Sequence, residues 1–130
     1  MLTLEQVSEL EAAAALGALL MDAEQPGWAE RVNPSTLRMQ STEFCILGQS
    51  MPNRGKGLRF SLPGRSSYSA KLDQLGVALY DSPRYGFALT AELSRQLGAW
   101  NALGDAWQRQ IQARTTTLVP ADVQEPPVLA

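Results

Sequence analysis

Between Thr3 and Gly27 the sequence reads TLEQVSELEAAAALGALLMDAEQPG. Thr3 followed by Gln6 has the capping-box spacing, in which the hydroxyl accepts from the third helical N–H and the amide reaches back to the cap. A helix is therefore expected to start near Leu4. Val7, Leu10, Ala14, Gly17 or Ala18, and Met21 recur at steps of three and four, which gives one apolar stripe, while Glu5, Glu9 and Glu24 fall on other faces. The four alanines Ala12 to Ala15 have the best helix propensity and are small enough to let a second helix approach closely. Gln25-Pro26-Gly27 ends the segment, because proline has no N–H to donate and glycine readily takes a positive φ.

Moving outward, Trp28 to Val32 supplies one more helical turn before the turn signal Asn33-Pro34-Ser35. Ser41 or Thr42 offers an N-cap for a short helix through Phe44, Cys45, Ile46 and Leu47, an apolar run that is expected to be buried. Residues Ser50 to Ala70 are rich in glycine, proline and serine, which is loop chemistry. The alternation Leu58-Arg59-Phe60-Ser61-Leu62 is compatible with a short strand inside that loop. Helical spacing resumes from Lys71 to Tyr80 and stops at Asp81-Ser82-Pro83. A last helix is expected from Thr90 to Arg114, with Leu93, Leu97, Trp100, Leu103, Trp107 and Ile111 on its apolar face. Gly98 and Gly104 mark candidate breaks, each costing about 1 kcal/mol against alanine, with a joint near Ala99 to Asn101. The expectation is a mainly α protein: a small single-domain bundle of about four helices over residues 1–114, carrying a long basic Gly/Ser/Pro loop. Residues 115–130, with Pro120, Pro126 and Pro127, read as an extended or disordered tail.

Composition excludes more than it identifies. The chain has 130 residues, 45% of them hydrophobic and 18% charged, enough apolar surface for one core. It contains no histidine and one cysteine, so a Cys/His zinc site, Ser-His-Asp or Cys-His catalysis and an internal disulfide are all excluded. The longest apolar run, Ala12 to Met21, is short of the roughly 20 residues that a spanning helix needs. A soluble, cytoplasmic protein is expected, with no cofactor and no membrane contact.

A formal net charge of −2 conceals segregation. Met1 to Glu30 holds Glu5, Glu9, Glu11, Asp22, Glu24 and Glu30 with no cation. Phe44 to Leu72 holds Arg54, Lys56, Arg59, Arg65 and Lys71 with no carboxylate. Such asymmetry marks either a partner surface or an internal pairing of the acidic helix with the basic loop. Asn53-Arg54-Gly55-Lys56-Gly57 exposes backbone N–H groups beside cations, as an anion cradle does, but it does not match the phosphate-loop spacing. Phe60 and Tyr68 interleave with the cations, as in binders of single-stranded nucleic acid. The candidate partner-binding set is therefore Arg54, Lys56, Arg59, Arg65, Lys71, Phe60 and Tyr68. Cys45 among Phe44, Ile46 and Leu47 reads as a buried structural thiol. The carboxylates lie on a solvated helix surface without an apolar setting, so no catalytic or metal residue is assigned. Trp28, Trp100 and Trp107 read as core, or as a stripe through which two copies pair.

Pro26-Gly27-Trp28 with Arg31, then Cys45-Ile46-Leu47-Gly48-Gln49, Leu72-x-x-Leu75-Gly76, Tyr85-Gly86-Phe87 and Leu103-x-x-Ala106-Trp107-x-x-x-Ile111 form an ordered pattern over residues 16–114. The pattern resembles small proteins encoded by actinobacterial phages and their hosts, with a longer basic loop and a Pro-rich tail added here. The resemblance implies a phage or mobile-element setting and a mainly helical fold, and carries no activity. The expected function is that of a non-catalytic accessory protein that binds a host or phage macromolecule. A protein partner is expected first, with nucleic acid bound through residues 54–71 as the alternative and a homodimer compatible with either.

Loop cations contribute little to a core. The triple change Arg54→Gln, Lys56→Gln and Arg59→Gln is expected to leave unfolding free energy within about 0.5 kcal/mol of the parent in a urea titration. A collapse of the transition would make the loop structural.

Overall fold

The structure, a computed structural model, describes residues 2–41, 44–51 and 67–115, and it is mainly helical. Helix α1 spans Leu4–Glu24. Its capping box is complete: the Thr3 hydroxyl accepts from the Gln6 N–H at 3.0 Å, and the Gln6 carboxamide accepts from the Thr3 N–H at 2.9 Å. The stripe expected from the spacing is the one that packs, with Leu10, Ala14, Gly17, Ala18 and Met21 buried. Gly27, at φ +82°, turns the chain into the single turn α2, Trp28–Arg31. Asn33 then caps a 3-10 turn at Pro34–Thr36, its side-chain oxygen accepting from the Ser35 N–H at 3.0 Å.

The remaining elements shift against their expected boundaries for local reasons. Helix α3 is Ile46–Ser50, and its cap is Cys45, whose Sγ accepts from the Gly48 N–H at 3.4 Å. Ser41 instead takes the Phe44 N–H one turn earlier. Helix α4 runs Ser67–Leu75 rather than Lys71 to Tyr80. Gly76, at φ +77°, ends it, with the Gly76 N–H donating to Asp73 and the Val77 N–H donating to Leu72, a Schellman closure. The chain resumes as a 3-10 segment, Leu79–Tyr85, which accommodates Pro83. The long final helix breaks at Gly98, φ +84°, into α5, Ala91–Ser94, and α6, Ala99–Thr115. Gly104 is carried inside α6 with open space beside it. The strand expected at Leu58 to Leu62 and residues 116–130 of the tail lie outside the described residues.

Helix α1 packs chiefly on α6 and on the Leu79–Tyr85 segment. Trp28 and Trp107 are buried and meet edge to face, with centroids 5.5 Å apart. Phe87 stacks on Trp107 at 5.7 Å, and Tyr85 on Phe87 at 6.4 Å. The Trp107 indole N–H donates to the Gly86 carbonyl at 2.6 Å. Outside this row, Arg109 pairs with Glu11, and Arg114 reaches Asp22 at 2.8 Å while lying 5.6 Å over the Trp28 ring. Asp22 also accepts from the Trp28 indole N–H at 2.9 Å. The Arg114 hydrogen bond, helped by the Trp28 bond, holds the Asp22 carboxyl below its ordinary range against a smaller opposing effect of burial. Thus two acids of the N-terminal block find their cations on α6; the cations Arg54, Lys56, Arg59 and Arg65 of the basic loop lie outside the described residues.

Gly17 is where these elements touch. A Cβ built there would lie 2.0 Å from the Tyr85 carbonyl oxygen and 2.9 Å from Trp107 Cζ2. Neither neighbour is free to yield, since one is backbone and the other a packed indole. Gly17→Ala is expected to lower unfolding free energy by at least about 2 kcal/mol, although alanine is the better helix former. A chemical denaturation midpoint equal to the parent's would show that the crossing is looser than described.

Candidate partner-binding groove

An open groove of about 560 Å³ lies between α1 and the segment from Tyr80 to Leu93. Its floor is Leu10, Ala12 and Ala13, and Leu16 stands at one end. Tyr80, Pro83, Ala88, Leu89 and Leu93 form the facing wall. The groove exists because of a close approach beside it. Gly86, at φ +72°, has no side chain, and a Cβ there would lie 2.9 Å from the Ala14 nitrogen and 3.1 Å from the Ala13 carbonyl carbon. The chain is thus pinned to α1 at Gly86, with the Tyr85 carbonyl against Gly17, while the alanines of α1 leave open space beside it.

Apolar surface continues past the rim. Leu16 is 40% exposed, Leu19 62% and Tyr80 89%, and Leu79 is exposed next to Tyr80. The charged groups at the edge are Glu9, Asp81 and Arg84. Arg84 is engaged locally, 3.9 Å from Asp81 and 5.8 Å over the Tyr85 ring. None of the groove residues belongs to the set expected from the sequence. A signal was available in the run Ala12 to Met21, which is apolar on every side and so leaves α1 without a polar outer face over that length.

Of the expected binding residues, Arg54, Lys56, Arg59, Phe60 and Arg65 lie outside the described residues. Tyr68 and Lys71 are in α4. Tyr68 is half-buried, and its hydroxyl donates to the Phe87 carbonyl at 3.1 Å, so the ring is built into the scaffold. Lys71, expected as a partner-facing cation, is only 5% exposed. Amphipathic spacing explains the difference: Tyr68, Lys71, Leu72 and Leu75 share the inward side of α4, and the aliphatic stem of lysine packs as a hydrophobe does.

Cys45 is buried, as its neighbours implied. Burial pushes its thiol pKa up, and the backbone N–H groups of Gly48 and Leu47 and the nearby Lys71 charge oppose this less strongly. Burial likewise raises the Tyr68 phenol, against a hydrogen bond with Ser82, and lowers the Lys71 ammonium, against the favourable charge of Cys45. A smaller hollow of about 180 Å³ lies over Cys45 between Met39, Tyr68, Phe87 and Trp100. Trp28 and Trp107 belong to the core, and Trp100 packs half-buried against it. No three Cys, Asp or Glu side chains come together to hold a metal ion among the described residues, and no helix there is long and apolar enough to cross a membrane.

Comparison of the chain with known protein families, with curated proteins and with solved structures found no match.

A buried ammonium with a lowered pKa holds its proton less tightly in the folded protein than in the unfolded chain. It therefore opposes folding below the folded pKa, and the penalty fades as pH rises through that value toward the ordinary 10.5. Lys71→Met is expected to raise the urea midpoint at pH 7 and to flatten the parent's gain in stability from neutral to alkaline pH. A lowered midpoint in the variant would mean that favourable contacts hold the ammonium.

Proposed function

We propose that this chain is a non-catalytic binding protein that seats an apolar segment of a protein partner in the groove between α1 and residues 80–93. The observation that carries this reading is the open groove itself, walled by leucines, Tyr80 and Pro83, floored by alanines, and continuous with exposed Leu16, Leu19 and Leu79. Contiguous apolar surface of this kind is uncommon on a monomer unless something docks on it. The Cys45 environment supports a role without turnover, since a buried thiol with a raised pKa is a poor nucleophile. An accessory role in a phage or prophage setting, which the sequence resemblance implies, fits a small protein that acts by occupying a partner. The nucleic-acid reading rests on Arg54, Lys56, Arg59 and Arg65 alone once Lys71 is placed in the interior.

Affinity capture from a bacterial lysate, with and without nuclease, tests the proposal when the parent and Leu16→Glu are compared. A protein retained after nuclease, insensitive to moderate salt and lost with Leu16→Glu, is the expected result. Capture that disappears with nuclease, or that falls steeply with salt, would shift the function to the basic loop and overturn the groove.

A further inference from the structure

We infer that the occupant of the groove is a cationic amphipathic helix, about two turns of which are buried, with apolar side chains at positions i, i+4 and i+7 and Lys or Arg on its flanks. This rests on the docking reading above and names its partner class by length, backbone form and charge.

Length comes from α1. The groove follows it from Glu9 to Leu16, a rise of about 10 Å at 1.5 Å per residue, which matches the axial span from i to i+7 of a second helix. Backbone form comes from the floor: Ala12 and Ala13 leave room for the bulk of a helix, and no strand edge is present among the described residues to pair with an extended peptide. The apolar surface also runs beyond the groove through Leu19 and Leu79, farther than a small ligand would cover.

Charge is the third argument. Glu5 lies one turn below Glu9 on the same face of α1, both are exposed, and neither has an ion pair among the described residues. Glu92, exposed, precedes the lining residue Leu93 in α5. Among the described residues Arg84 is the one cation lining the groove, and its charge is shared with Asp81 and the Tyr85 ring. The acids of α1 that do have partners, Glu11 and Asp22, lie on its α6 side. An apolar floor flanked by unpaired carboxylates selects apolar side chains flanked by cations and disfavours an acidic segment of the same shape.

The test uses the whole protein and a labelled leucine–lysine peptide of about 14 residues with leucines at helical spacing. Its leucine–glutamate counterpart is the charge control. Fluorescence anisotropy is expected to show saturable binding of the lysine peptide, with the glutamate peptide at least about tenfold weaker. Ala12→Trp, which fills the groove from an exposed helix position, should abolish binding, and Glu9→Lys should weaken it several-fold, with both variants keeping the parent's circular dichroism. Equal binding of the two peptides would overturn the charge assignment alone and leave the groove as a docking site. No binding of either peptide, or lysine-peptide binding that survives Ala12→Trp, would overturn the groove for both readings. A dimer in sedimentation velocity that Ala12→Trp dissolves would assign the groove to a second copy and overturn the cationic helix.

Discussion

The hydrogen bond from the Trp107 indole to the Gly86 carbonyl is the constraint on which the other contacts depend. It is buried, so neither group has water as an alternative, and leaving one unpaired would cost roughly 1–3 kcal/mol. The carbonyl reaches the indole because Gly86 takes a left-handed conformation and lies against the α1 backbone at Ala13 and Ala14. The indole reaches the carbonyl because Gly17 lets its six-membered ring into the crossing. One donor and one acceptor thus fix three elements at once: α6 by Trp107, the 79–85 segment by Gly86, and α1 by two positions without side chains. The aromatic row follows, since Phe87 adjoins Gly86 and Trp28 closes the other edge of the indole.

That same constraint makes the groove. A segment tied to α1 at a glycine must separate from the helix once larger residues follow, and Phe87 turns into the core rather than into the gap. The side chains left to face α1 are those of Tyr80, Pro83 and Leu89, across from alanines too short to meet them. A larger residue at Ala12 would close the space without disturbing the core. The groove is therefore a consequence of how the core is locked, and its floor is set by side-chain length on the outer side of one helix.

The features legible in the sequence are those that neighbouring residues determine. The Thr3–Gln6 box, the stripe from Leu10 to Met21 and the burial of Cys45 each depend on a few adjacent side chains and agree with the structure. The joint expected at Ala99 to Asn101 falls earlier, between Ser94 and Ala99, because Gly98 takes the positive φ and Ala99 already starts α6. Helix α4 ends at Leu75 rather than Tyr80 because Gly76 acts through a left-handed turn, which outweighs the favourable spacing of Leu75 and Leu79. Lys71 faces inward because helical phase, not charge, sets its side of α4. The role of Gly17 was out of reach for a different reason: its two contacts, with Tyr85 and Trp107, are far away in sequence. Residues carrying the resemblance also work locally as scaffold. Arg31 donates to the Ser50 carbonyl at 3.0 Å, and Gln49 accepts from the Asn33 N–H at 2.7 Å and donates to the Phe44 carbonyl at 2.9 Å.

Helix α1 therefore has three sides with separate tasks. One is the small-residue face that admits Trp107 and Gly86. A second is an ion-paired edge, where Glu11 and Asp22 take the arginines of α6. Those two carboxylates already satisfy the demand for charge along the α1–α6 contact, so Glu5 and Glu9 are not needed to hold the fold. The third side changes from acid to apolar within about two turns, from Glu9 to Leu16, with Glu5 before and Leu19 after. A helix required only to cover the core would carry polar residues there, since each exposed leucine forgoes about 25 cal/mol for every Å² left in water. Helix propensity does not ask for leucine at those positions either, because lysine or glutamate would serve almost as well. On the docking reading proposed above, Leu16 and Leu19 meet a partner rather than this chain's own core.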